Sequence, residues 1–293
     1  MSLALQNQII LGDCLEKMKE IPDKSIDIIL TDLPYGVTSR NKWDSIIDFK
    51  ELWKQWNRIK KEITPIILTA IQPFTSFTVM SNPDSFKYEW VWEKERGTGF
   101  LNAKKQPLRK HEQILVFYDK QPIYNPSMEK LDKPYKHVLP KFETDNYNSF
   151  KTGNNEEREL KIYDSKYPTT IIKIPRDDNR KNIHPTQKPV KLFEYLIKTY
   201  TNENDLVLDC CAGSGTTAIA CINTKRNYIC IEKDEKYFEI MKNRITSRLI
   251  CDDCLKVICH VSYLKGEREF LNNLGICRCP ECDDKISNKE RLP

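Results

Sequence analysis

Two short stretches carry residue types suited to chemistry. The first is Asp32-Leu33-Pro34-Tyr35, which follows an apolar run from Ile26 to Thr31. An acid and a main-chain carbonyl can both accept hydrogen bonds from an amine. Proline restricts the chain so that the carbonyl keeps its direction. An aromatic ring can stack on a planar base, a contact worth about 1–3 kcal/mol. A β-turn with a surface acid and a packing tyrosine fits the same four residues. The second stretch is Asp209 to Thr217, DCCAGSGTT, where the run Leu206 to Leu208 ends in an acid and a small-residue loop. Glycines there let backbone approach a ligand, and the helix start that follows offers unpaired N–H groups and a positive dipole end. The next apolar run, Tyr228 to Ile231, ends in Glu232. A carboxylate at that place can take both hydroxyls of a ribose. Together these features suit an adenosine-like ligand. Gly213, Gly215 and Ala218 also satisfy the loose G-x-G-x-x-A form of nicotinamide enzymes, but only one strand–helix unit follows, and a dinucleotide fold needs two halves.

A third set lies at the carboxyl end. Cys251-x-x-Cys254 and Cys279-x-x-Cys282 are separated by 24 residues. Each pair places two thiolates for a tetrahedral ion, the pattern of a structural zinc site. Cys259, His260 and Cys277 are spare ligands. A small helical tail that merely contains cysteines is the alternative.

A sheet has to position the first two groups. Seven apolar or alternating runs read as strands: Ile9–Leu11, Ile26–Thr31, Pro65–Ala70, Tyr88–Glu93, Ile114–Tyr118, Leu206–Leu208 and Tyr228–Ile231. Near-continuous apolar runs such as IDIILT are typical of parallel strands covered on both faces. Helical spacing marks Leu15 to Ile21, Ile46 to Lys60 with Trp53 and Trp56 on one face, a short helix ending at Met80, Val190 to Tyr200, and Lys236 to Leu249. The fold class expected is α/β, a seven-stranded mostly parallel sheet with helices on both faces, plus a small zinc-binding module. Between Trp92 and His111, Lys94, Arg96, Lys104, Lys105, Arg109 and Lys110 form a basic loop suited to phosphate contact. Residues 120–183 show little periodicity and are too long for an inert loop. Their aromatic, amide and basic side chains suit groove contact.

Composition sets wide bounds. The chain has 293 residues, 30% of them charged, and a formal net charge of +5. Six of its eleven cysteines fall in the last 43 residues. That distribution argues for a reducing compartment with a local metal site rather than a disulfide scaffold. No apolar run reaches the roughly 20 residues that span a bilayer, and the N-terminus lacks a basic n-region and a cleavage site. A cytoplasmic protein with no membrane partner is the expectation.

Thr31-Asp32-Leu33-Pro34-Tyr35-Gly36 resembles the Asp/Asn/Ser-Pro-Pro-Tyr motif of the amino-methyltransferases, and Asp209 to Thr217 resembles their S-adenosylmethionine loop. The order, catalytic motif first and cofactor loop last, resembles the β-class of DNA amino-methyltransferases and implies their Rossmann-like fold with permuted motifs. Leu33 departs from the pattern, but a leucine still has the carbonyl that the position contributes. The resemblance implies catalytic roles for Asp32, Leu33, Pro34 and Tyr35. It implies a cofactor site of Asp13, Cys14, Asp32, His184, Thr186, Lys188, Asp209, Ala212, Gly213, Ser214, Gly215, Thr216, Thr217, Glu232 and Lys233. Asp13 would accept from the cofactor's adenine amino group, although it also fits a helix N-cap. In His184-Pro185-Thr186-Gln187-Lys188-Pro189, Thr186 and Lys188 would lie near the cofactor carboxylate and His184 would brace the loop. The activity implied is methyl transfer from S-adenosylmethionine to the exocyclic amine of a flipped base in double-stranded DNA. Adenine N6 is preferred, because an Asp-led motif more often accompanies adenine in this family. Cytosine N4 is the alternative, and a non-catalytic zinc-containing DNA-binding protein is the alternative from another class. A 5-methylcytosine route is excluded by the lack of a Pro-Cys pair. The implied layout is a catalytic half in 1–119, target recognition in 120–183, a cofactor half in 184–249 and a zinc-ribbon-like tail in 250–293. A cognate restriction endonuclease and a homodimer stay open as further partners.

The tail reading is checked by elemental analysis of the purified full chain. One zinc per chain is expected, lost when Cys251 and Cys279 are both replaced by serine. A metal-free wild-type protein purified without chelator would remove the zinc assignment.

Overall fold

The computed structural model describes residues 6–36, 45–138, 160–177 and 187–249. The chain forms two compact units, one of residues up to Asn125 and from Thr170 onward, the other of Pro126–Thr169. In chain order the strands are β1 (Gln8–Leu11), β2 (Ile28–Thr31), β3 (Ile66–Ala70), β4 (Phe86–Thr98), β5 (Arg109–Phe117), β6 (Glu129–Val138), β7 (Leu160–Lys166), β8 (Ile171–Lys173), β9 (Leu206–Asp209) and β10 (Asn227–Glu232). The helices are α1 (Cys14–Met18), α2 (Phe49–Ile59), α3 (Phe74–Ser81), α4 (Val190–Tyr200), α5 (Thr216–Thr224) and α6 (Glu235–Leu249).

The larger unit is built on one eight-stranded sheet in the order β1-β10-β9-β2-β3-β5-β4-β8. β5 pairs antiparallel with both neighbours, and every other pairing is parallel, so β5 alone runs against the rest. All seven expected strands lie in this sheet. The eighth, β8, is a three-residue edge strand paired to β4, too short to leave a periodic signal. Successive residues of the central strands face opposite sides, as a pleated sheet requires. Ile28, Leu30, Ile67, Val116, Val207 and Tyr228 pack with α4, α5 and α6. Ile29, Ile66, Leu68, Leu115, Leu208 and Ile229 pack with α1 and α2. Each face therefore has its own apolar layer, and all four side chains of β2 and of β9 are buried.

Three boundaries differ from expectation for local reasons. α2 starts at Phe49 instead of Ile46, because Asp48 caps it by accepting from the Lys50 amide at 2.8 Å. α1 ends at Met18, three residues before Ile21, although Ile21 is still buried. Both ends of the basic loop are strand. β4 and β5 extend through it as a hairpin, closed by a short 3-10 turn at Phe100–Asn102. The smaller unit, read as aperiodic, contains an antiparallel pair, β6 with β7, which starts with Glu129 opposite Lys166 and shifts register between Lys130 and Tyr135. Dense charge and Pro134 hide the alternation there. The paired Cys-x-x-Cys segments, including Cys251, Cys254, Cys279 and Cys282, lie outside the described residues, as do His184 and Thr186. Among the described residues no helix is long and apolar enough to cross a membrane.

Candidate active site

The carboxyl edge of the parallel strands brings the two motifs together. β2 and β9 are direct neighbours. The last residue of β2, Thr31, donates its hydroxyl to the last residue of β9, Asp209, at 2.8 Å across 178 positions of sequence. Asp209 also accepts from the Cys211 amide at 3.0 Å and from the Thr217 hydroxyl. Its carboxyl is 2% exposed. Burial pushes it up to about 6, against the pull of its Thr217, Thr31 and Cys211 donors. Asp209 thus lies beneath the loop and ties both ends of it down.

The loop is held from several sides. Ala212 donates to the Ile231 carbonyl at 2.9 Å, and Gly213 donates to Glu232 Oε2 at 2.7 Å. Glu232 Oε1 accepts from the Asp234 amide at 2.8 Å. Burial raises the Glu232 carboxyl despite these backbone donors. Gly215 begins α5 at φ +78°, and a Cβ there would fall 2.5 Å from Met241 Cγ. Ser214 donates to Gln187 Oε1 at 3.2 Å, and Arg244 of α6 reaches the Ser214 carbonyl at 3.1 Å and the Thr216 hydroxyl at 3.2 Å. At the next strand end, Asp13 caps α1 through the Leu15 amide at 3.0 Å and pairs with Lys233 at 3.0 Å. Burial works against its charge, but Lys233 and the Leu15 amide hold Asp13 below the usual carboxylate range. Cys14 meets Cys210 and Cys211, all three sulfurs lying within 4.8 Å of one another. Hydrogen bonds from the other two thiols pull Cys14 down, and those two are pushed up.

Beside the loop stands the acid of the first motif. Asp32 Oδ1 accepts from the Tyr35 hydroxyl at 2.6 Å and from the Thr69 hydroxyl. Asp32 Oδ2 accepts from Lys188 Nζ at 2.6 Å. Lys188 is 7% exposed and lies 3.5 Å from Glu112 Oε2, while Glu112 Oε1 is paired with buried Lys94. The result is an alternating row of charges, Asp32, Lys188, Glu112 and Lys94, largely shielded from water. Burial opposes the charge on Lys188, yet Asp32, Tyr35 and Glu112 outweigh it and hold the ammonium well above its ordinary pKa. Burial likewise opposes the charge on Glu112, and Lys188 with Lys94 overcome it. The Tyr35 phenol is pushed well up by burial and by Asp32. Its ring packs on Phe74 with centroids 4.9 Å apart, and the Lys188 ammonium sits 5.5 Å from its centroid. Leu33, in place of a proline, is 4% exposed and anchors the loop in the layer that covers α2. Pro34 is half-buried.

Lys188 connects the two halves of the site. Its ammonium touches Asp32, and its carbonyl accepts from the Thr216 hydroxyl at 3.3 Å. The structure therefore brings Asp13, Cys14, Asp32, Tyr35, Lys188, Asp209, the Ala212–Thr217 loop, Glu232 and Lys233 to one sheet edge. Sequence reading missed Thr69, Glu112, Arg244 and Gln187, and it placed Lys94 in a phosphate-binding loop. Lys94 is instead 2% exposed and buried against Glu112. An acid and a base of complementary charge, each in an apolar strand pattern (Trp92-Glu93-Lys94 and Glu112-Gln113-Ile114), were the available signal. Chemically the edge offers a carboxylate ion-paired to a buried ammonium, next to a tight glycine loop between two further carboxylates.

A family profile described as DNA methylase matches residues 26–243. The chain is 31% identical over 270 residues to the type II methyltransferase M.HinfI of Haemophilus influenzae, covering 82% of this chain and 68% of that one. It is 26% identical over 259 residues to the type II methyltransferase M.HpaI of Haemophilus parainfluenzae, covering 83% and 75%. Among solved structures, M1.HpyAVI in complex with SAM matches with a TM-score of 0.52 at 26% identity, over 81% of this chain and 98% of that one. The fold is also that of the PvuII DNA methyltransferase (cytosine-N4-specific), with a TM-score of 0.59 at 16% identity over 85% and 90% of the two chains.

Two outcomes are expected. Gly215→Ala combines a left-handed residue with a collision against Met241 and should cost about 2–4 kcal/mol in denaturant unfolding; an unchanged midpoint would contradict the described loop. Asp209 has a folded pKa raised from 3.8 to about 6, so its stability contribution is complete below pH 3.8 and is lost as pH rises through 6. Relative to Asp209→Asn, wild type should therefore lose up to about 3 kcal/mol between pH 4 and 7. A stability difference that stays flat with pH would refute the shift.

Proposed function

The chain belongs to the family of N6/N4 DNA methylases, and from that premise we propose that it transfers a methyl group from SAM to the N6 amine of adenine in duplex DNA. The observation that carries the proposal is Lys188, whose ammonium fixes the motif acid and whose backbone fixes the glycine loop. A donor seated on the loop and an amine seated on Asp32 would then be neighbours. The cofactor assignment is supported by the 26%-identical M1.HpyAVI, solved with SAM, and by the cradle itself. A Cβ on Gly215 would strike Met241, and half-buried Glu232 stands at the end of β10. Glu232 would take the ribose hydroxyls, and Asp13 the adenine amino group. Cys14, Ala212, Thr216, Thr217 and Lys233 would line the same cradle, with His184 and Thr186 beside them. When bound, SAM supplies an electrophilic methyl group on a sulfonium sulfur.

The chain's own residues do the rest. An exocyclic amine is a weak nucleophile because its lone pair is delocalised into the ring. Asp32 and the Leu33 carbonyl accept its two protons in hydrogen bonds and draw that lone pair out of conjugation. Pro34 keeps the carbonyl aimed, and Tyr35 stacks on the flipped base. Lys188 donates to the Asp32 carboxylate and holds it in place. No strong base is required before attack, because the amine proton needs to leave only after nitrogen has been alkylated. Orientation and fixed electrostatics supply most of the rate. Adenine is preferred because an acid leads the motif. Segment 120–183 is assigned to reading the target sequence, between a catalytic half in 1–119 and a cofactor half in 184–249. Kinship with type II methyltransferases supports a role beside a restriction endonuclease in the cytoplasm.

The test is nucleoside analysis of unmethylated DNA after incubation with the protein and SAM. N6-methyladenine is expected. N4-methylcytosine would move the target to cytosine, and neither product would overturn the proposal. Asp32→Asn, which keeps the size of the side chain and one accepting oxygen, should lower turnover by on the order of 10²–10⁴-fold, and an unchanged turnover would remove Asp32 from the proposed role.

A further inference from the structure

The two most exposed large apolar side chains among the described residues are adjacent, Leu101 at 99% and Phe100 at 80%. They sit in the turn that closes the β4–β5 hairpin. The space at the neighbouring Gly99 is open as well, since an added Cβ would find no atom within 4 Å. A surface residue of this kind is usually isolated and unremarkable. This pair is different because of where the hairpin begins and what surrounds its tip.

β4 runs in the same direction as β2, so its carboxyl end leaves the sheet at the edge that holds Asp32. Trp92 of β4 is paired with Glu112 of β5. Glu112 lies 3.5 Å from Lys188, and Lys188 lies 2.6 Å from Asp32. The hairpin is therefore rooted in the catalytic charge row. Beyond Trp92, β4 continues through Thr98, which at about 3.3 Å per residue carries the tip some 15–20 Å past the site. From Glu95 to Lys110 the chain has five basic residues and one acid, and Arg96, Lys104, Lys105 and Arg109 are exposed. An apolar tip ringed by like charge repels a second copy of itself and complements a polyanion.

Resting on the DNA-methyltransferase reading, we infer that Phe100 and Leu101 form a wedge that enters the base stack of duplex DNA where the target base has left it, while Arg96, Lys104, Lys105 and Arg109 hold the flanking phosphates. Turning a base out of the helix opens a gap and costs unstacking energy. Apolar side chains inserted between base steps offset that cost, and cations on the backbone hold the wedge in register without reading sequence.

The test uses the full chain and two duplexes containing its mapped methylation site, one fully paired and one lacking the base opposite the target. Phe100→Ala/Leu101→Ala removes only exposed side chains, so the fold should survive, as unfolding midpoint and SAM affinity will show. On the paired duplex the double variant should lose about 10- to 100-fold in kcat/KM, and a 2-aminopurine at the target position should brighten less on binding. On the duplex already unpaired at the target the loss should shrink to within about threefold. Equal losses on both duplexes, or none on either, would overturn the wedge while leaving the methyltransferase reading intact, because wild type is active in the same assay. A wild type that methylates neither duplex would overturn both. Sedimentation showing a wild-type dimer that becomes a monomer in the variant, with paired-duplex activity unchanged, would reassign the tip to self-association.

Discussion

Lys188 puts a full positive charge where water has little access, and an ion taken out of water costs several kcal/mol unless its partners are close and well placed. Here two carboxylates meet it from two strands, Asp32 at the end of β2 and Glu112 on β5. Lys94 then balances Glu112. Removing any one member would leave an unpaired buried charge, which is far more damaging than the pair is stabilising. This constraint fixes three segments far apart in sequence to one another: the motif acid, the hairpin and the segment that leads into α4. It also fixes the direction of the acid, since Oδ2 of Asp32 is held by Lys188 and Oδ1 by Tyr35 and Thr69.

The loop on the other side of Lys188 shows the same economy of parts. Asp209 uses its oxygens on Thr31, Thr217 and the Cys211 amide. Arg244 and Gln187 secure Ser214 and Thr216 from outside the motif. The backbone of the loop is thus shaped before any ligand arrives, and preorganisation of this kind lowers the cost of binding. Charge at the loop is carried by residues around it, Glu232, Asp13 and Lys233, which end the neighbouring strands β10 and β1.

The β4–β5 hairpin divides into two parts along its length. Its base is buried and ionic, with Lys94 and Glu112 joined to the site. Its tip is exposed, apolar and basic. The same stretch of sequence reads as one lysine- and arginine-rich loop, because composition does not reveal that Lys94 turns inward while Lys104 and Lys105 face water. Lys94 lies within β4 and meets Glu112 of β5, 18 residues away, whereas Lys104 and Lys105 lie in the connection between the two strands.

Local sequence alone determined the apolar runs of β2, β3, β9 and β10, the span of α4 from Val190 to Tyr200 between Pro189 and Thr201, and the identity of the two motifs, Asp32 to Tyr35 and Asp209 to Thr217. These depend on short-range rules: continuous apolar residues for covered strands, 3.6-residue spacing for helices, and glycine where the chain turns tightly. Strand order decided the remainder. Placing β9 beside β2 joined Thr31 to Asp209, and placing β5 beside β3 brought Glu112 to Lys188. It likewise gathered Cys14, Cys210 and Cys211 into one cluster. A charged or thiol side chain carries no mark in sequence of the partner it will meet. Only the folded sheet, by excluding water from particular pairs, decides which of them become a site.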